Sequence, residues 1–121
     1  MAIENISFSA GTDTLLTVPS EKNYAITTII TCNTATVDPG NPNSSNASFD
    51  LHLVTALEMT AASNIVANAV NNKNRVINNL PLKAGESYSF NNEKLILEAG
   101  DTIAVVGTST GLSATVSYLE I

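Results

Sequence analysis

From Tyr24 to Cys32 the chain alternates with a period of two, and no other feature limits its fold more. Tyr24, Ile26, Thr28, Ile30 and Cys32 fall on one side of an extended backbone. Ala25, Thr27, Ile29 and Thr31 fall on the other. Successive side chains point to opposite faces only in a β-strand. The pattern therefore predicts a long strand with its even positions turned inward. Two further stretches repeat it. Phe49, Leu51 and Leu53 alternate with Asp50, His52 and Val54, and Leu112, Ala114, Val116 and Tyr118 alternate with Ser113, Thr115 and Ser117. At Leu119 and Ile121 the phase shifts, which predicts a bulge or the end of pairing.

Shorter strands are expected around Ile6 and Phe8, over Thr14–Val18 ahead of Pro19, over Arg75–Leu80 ahead of Pro81, around Tyr88 and Phe90, over Lys94–Leu97, and over Asp101–Val106. Glu98, Ala99 and Gly100 read as a tight turn between the last two. Eight or nine short strands at even spacing predict one all-β domain over residues 1–121, an antiparallel, jelly-roll-like β-sandwich of about eight strands. Both ends read as strand and are expected to be docked.

Composition supports this. The 121 residues include 15 Asn, 14 Thr and 12 Ser, with no Gln, and only 13% are charged. Thr favours strands, while Asn and Ser favour turns. Two stretches stand apart. Thr36–Ser48 holds Pro39, Gly40, Pro42 and several Asn and Ser residues, and reads as a long exposed loop. Thr55–Asn74 is rich in Ala and Asn. Leu57, Ala61, Ile65 and Asn68 follow a loose helical spacing there, so an excursion with one short helix or an edge strand is expected.

The net charge of −6 opposes binding to nucleic acid or to anionic lipid; Lys73 and Arg75 are the nearest approach to a basic cluster. No run is long and apolar enough to span a membrane, and no secretion signal is visible. The sequons at Asn5, Asn43 and Asn46 are then by-products of composition. Cys32, the one cysteine, rules out an intrachain disulfide and is expected to be a buried, inert thiol.

Catalytic equipment is not legible. His52 is the one histidine; strand parity turns it outward with Asp50 as a solvated pair. No nucleophile elbow accompanies it, so no triad is expected. Glu98 and Asp101 flank a turn and read as solvated carboxylates, not a glycosidase pair. Gly107 and Gly111 precede no phosphate-binding lysine. Asp38 among loop Asn residues, and Asn91, Asn92 and Glu93, are the calcium candidates, but neither has a calcium-loop spacing. Without Trp, and with Phe8, Tyr24, Phe49, Tyr88, Phe90 and Tyr118 mostly on inward parity, sugar binding would rest on loop Asn and Asp groups. No catalytic, metal or cofactor site is expected.

Several segments carry a family likeness. Leu16-Thr17-Val18-Pro19, a polar turn and the strand Tyr24–Asn33 resemble a segment of small virion proteins of tailed bacteriophages, above all marine and cyanobacterial phages. Phe49–Val54 looks like their next strand. Leu80–Ser87 is similar to their hairpin entry, and Leu95–Ile103 resembles their step into the following strand. The likeness covers most of the chain outside 33–48 and 55–74. It implies a β-sandwich structural protein of a virion, assembled in the host cytoplasm, with no active-site residues to carry over. The favoured expectation is a capsid decoration or cement protein docking on the major capsid protein or other virion proteins, as a homo-oligomer such as a trimer. A tail or fibre component, or a receptor- or glycan-binding module using the 36–48 loop, is the alternative.

Overall fold

The computed structural model describes residues 2–90 and 95–121. The strands are β1 (Ala2–Ser7), β2 (Thr12–Thr17), β3 (Tyr24–Asn33), β4 (Ala47–Val54), β5 (Arg75–Leu82), β6 (Ser87–Phe90), β7 (Leu95–Leu97), β8 (Thr102–Gly107) and β9 (Leu112–Glu120). Two short helices, α1 (Ala56–Ala61) and α2 (Val66–Ala69), lie between β4 and β5. Lys94, expected to open β7, lies outside the described residues.

The strands form two antiparallel sheets. The first runs β1-β9-β3-β6, with β7 also paired to β3; the second runs β2-β8-β4-β5. Strands β6 and β7 occupy successive stretches of the same side of β3, opposite Ile29–Cys32 and Tyr24–Ile26. Counted as one interrupted strand, they complete a nested set: β1 with β9, β2 with β8, β3 with β6 and β7, β4 with β5. This is one long hairpin rolled up so that β9 also meets β3 and β8 also meets β4. The connectivity is that of a jelly roll.

Apolar side chains from both sheets fill the space between them. Ile26, Ile29, Leu112 and Val116 meet Leu16, Leu51, Ile103 and Val105 in one core. Phe8 packs edge-on against Phe49, with ring centres 6.5 Å apart, and Tyr24 stacks on Tyr118 at 4.4 Å. Tyr88 departs from this and is about one-third exposed at a sheet edge. Each such aromatic pair adds about 1 kcal/mol beyond its burial.

The parity of β3 reverses midway. Its register with β9 slips between Ile26 and Thr28, and Thr27 bonds the Ser117 hydroxyl from the same side as Thr28. After this bulge Ile29, Thr31 and Asn33 point inward, so Ile30 and Cys32 face out. Cys32 is half-buried rather than sequestered in the core. In β9 the alternation runs on unbroken, and Leu119 is an exposed outward residue.

The central strands of the second sheet, β4 and β8, are largely buried on both faces. Val54, Ala104, Met59 and Ala69 form a second small core beneath the helices. Thr55 and Glu58 start α1 with a reciprocal capping box. Ser63 and Asn64, both at positive φ, end the excursion's first half. The buried helix residues are Met59 and Ala69, whereas Leu57 and Ile65 of the looser helical spacing are exposed. The 36–48 stretch is an exposed loop up to Asn46, and β4 begins at Ala47.

Candidate docking face

The helices cover the centre of the second sheet, whereas the outer face of the first sheet is left bare. Register assigns its members, because residues directly opposite share a face. One row runs Ile3, Ser117, Thr28; a second runs Leu119, Ala25, Ile96; a third runs Asn5, Thr115, Ile30, Ser89; a fourth runs Ser7, Ser113, Cys32, Ser87. Side-chain bonds confirm the assignment: Thr115 donates to Asn5 at 2.7 Å, and Thr27 bonds Ser117.

Among the described residues, none on this face carries a charge. In a chain of net charge −6, that is a strong segregation. The acids within the strands of this sheet, Glu4 and Glu120, stand opposite the inward residues Val116 and Tyr24, at the rim of the sandwich. Glu120 is paired there with Lys22 at 3.0 Å. Burial, then the charge of Glu4, push the Tyr118 hydroxyl above its ordinary ionisation range. Four apolar side chains stand exposed on the face: Ile3, Ile30, Ile96 and Leu119. The rest are small and uncharged. Such a surface loses little desolvation energy on being covered, since no ion must be stripped of water. A large exposed apolar and neutral surface on a folded domain marks an interaction site.

The sequence-level candidates lie elsewhere. His52 is not paired with Asp50 in solvent; it is 1% exposed. Its Nδ1 lies 2.6 Å from Asn74 Oδ1, beneath the helical cover. Asn74 in turn donates to Glu58 and to the Ala69 carbonyl. This network ties β4 to α1 and α2. It holds the Glu58 carboxyl below its ordinary value, first through the Thr55 backbone N–H. Asp50 instead accepts from the Asn79 backbone and lies 3.7 Å from Arg75. Asp101 accepts from the backbone of Glu98 and of Ala56, so it builds the β7–β8 turn and anchors α1. Asp38 caps Gly40 within its loop. Among the described residues, no cluster of His, Cys, Asp and Glu could hold a metal ion. The Asn91–Glu93 candidate lies outside the described residues.

One anchoring residue was not foreseen. Asn33 is 1% exposed and donates to the carbonyls of Ser45 and Leu82 at 2.7 and 3.0 Å. It pins the base of the exposed loop to β5. Its inward position depends on the β3 bulge, which no local sequence signal marks.

Comparison with family models, with curated proteins and with solved structures returns no match.

Proposed function

We propose that this chain is a structural protein of a tailed-phage virion, which stabilises the head by docking on its surface. The carrying observation is the outer face of the first sheet, bare and, among the described residues, uncharged. The reading rests also on the sequence resemblance described above, and jelly rolls are a common architecture of capsid components. A decoration protein needs a stiff scaffold and a surface that can be covered without burying ions. The two-sided burial of β4 and β8 supplies stiffness, and the first sheet supplies the surface. Many copies on one particle sum weak contacts through avidity. The partner in this reading is the major capsid protein or a neighbouring virion protein, and the chain acts as a homo-oligomer with no cofactor and no turnover.

Antibody labelling of virions that carry the chain tests this. Label distributed over the head supports the reading. Label confined to the tail replaces it with a tail or fibre role. The exposed loop with its outward Val37 would then be the contact surface, and deleting it would abolish adsorption.

A further inference from the structure

The geometry points to β1 as a self-pairing edge: two copies of this chain join β1 to β1 about a two-fold axis, fusing their uncharged faces into one continuous surface.

Four strand edges terminate the two sheets, and three of them are guarded. Strand β2 is bulged between Thr14 and Leu16. Strand β5 shifts register twice against β4, has Asn79 at positive φ and contains Pro81. At the opposite edge of the first sheet the register against β3 shifts by two residues, from Ile29 opposite Phe90 to Ile26 opposite Leu95. Bulges, prolines and breaks in register are the devices that keep edges from pairing with other chains. Strand β1 has no bulge, Pro or register shift, and its one charge is Glu4, at the rim of the inward side. It pairs with β9 in unbroken register from Ala2 to Ser7 and has no Pro or Lys.

The ladder shows which backbone groups are free. Phe8 donates to the Leu112 carbonyl at 2.9 Å. Stepping back by two along the register, Ile6, Glu4 and Ala2 are the residues bonded to β9. The N–H and C=O groups of Ile3, Asn5 and Ser7 therefore point to the open edge. In an antiparallel pair centred on Asn5, Ile3 of one copy meets Ser7 of the other, and Asn5 meets Asn5. Every one of those groups is then satisfied. Glu4 falls opposite Ile6 of the second copy, so the one acid of β1 does not face itself. The contact is isologous and closes as a pair, rather than as the trimer expected from the sequence.

Area explains why pairing matters, and here the inference rests on the docking function proposed above. Strand spacing and rise give the face of one chain about 450 Å². A stable interface needs about 800 Å² per partner. Two faces joined edge to edge present about 900 Å², which reaches that size.

Sedimentation of the purified chain up to about 1 mM, the weak end of specific association, reads the pairing. The expected mass is twice 12.7 kDa. Asn5→Pro removes the central free N–H without touching the β9 ladder, a placement an edge strand tolerates. It should return the mass to one chain with an unchanged circular dichroism spectrum, the denaturation midpoint of the dilute chain falling only by what the Thr115–Asn5 bond contributes. As a check that does not depend on proline, Asn5→Cys in a Cys32→Ser background should cross-link to a covalent pair on mild oxidation. A one-chain mass throughout, a pair insensitive to Asn5→Pro, or absence of the cross-link overturns the inference. Binding of labelled chain to particles stripped of it separates the two proposals. A single chain that binds keeps the docking role without the pair, and a pair that does not bind keeps the pair alone.

Discussion

His52 and Asn74 are joined by a 2.6 Å hydrogen bond in which the histidine is the donor. The direction follows from the asparagine's other bonds. Its Nδ2 is committed to Glu58 and the Ala69 carbonyl, and its Oδ1 also accepts from the Asn71 backbone. Nδ1 of His52 therefore carries a proton, and Nε2 is buried with no hydrogen-bond partner among the described residues. The bond fastens the outer face of the second sheet to its helical cover.

Asn74→Ala should cost about 2–3 kcal/mol, because it strands the buried imidazole N–H and the Asn71 backbone N–H together. In a double-mutant cycle, His52→Leu should cost less in the Asn74→Ala background than in the native one. The imidazole has then already lost its partner. Urea midpoints of the four variants measure this; strict additivity would mean the bond contributes nothing.

Gly85 and Gly100 offer a matched comparison. Both sit at positive φ, +83° and +86°. A Cβ at Gly85 meets nothing within 4 Å, whereas one at Gly100 lies 2.7 Å from the Ala56 Cβ. Gly85→Ala should cost about 1–2 kcal/mol, the price of a left-handed alanine alone. Gly100→Ala adds overpacking of about 1–3 kcal/mol where the β7–β8 turn braces α1. Thermal midpoints should rank native above Gly85→Ala above Gly100→Ala.

Much of this architecture was written into the sequence. The alternation of β9, the proline and asparagine punctuation and the Glu98–Asp101 turn point to eight or nine strands and a sandwich; the structure has nine among the described residues. Two errors shared one cause, the assumption that a strand keeps one parity and one wet face. The bulge at Thr27 and Thr28 turned Cys32 outward and Asn33 inward, and Thr-rich sequence does not mark bulges. His52 is buried because 55–74 covers the second sheet. Parity gives the side of a strand, not what lies on that side. The pairing Thr55-x-x-Glu58 is a capping-box signature that could have placed α1. The charge-free face could be read only after register had gathered residues from β1, β3, β6, β7 and β9.

Acid should loosen the helical cover. The Glu58 carboxyl is held low by the Thr55 backbone N–H, and the Asn71 and Asn74 amides act in the same direction. A lowered folded value means that its stabilisation is fully present above the unfolded value of about 4.3 and is lost as pH falls through the folded one. Glu58→Gln should be less stable than the native chain at neutral pH, and the gap should shrink below about pH 4. Denaturant midpoints from neutral pH down to about pH 3 decide it; a pH-independent gap would deny the carboxylate this role.

A single charge should be enough to spoil the docking face. Ile30 and Thr115 stand opposite each other near its centre, and both point to solvent. Replacing either by Lys adds no buried ion to the free chain, so stability should move by less than about 0.5 kcal/mol. Covering that ammonium in a docked complex strands it without a partner, which costs several kcal/mol per copy. Repeated over every copy, this should remove the chain from particles. Ala67→Lys, on the exposed side of α2, is the control: it adds the same charge away from the face and should leave occupancy unchanged. Occupancy is read from the protein composition of purified particles. If Ile30→Lys and Ala67→Lys populate them equally, the first sheet is not the surface that docks.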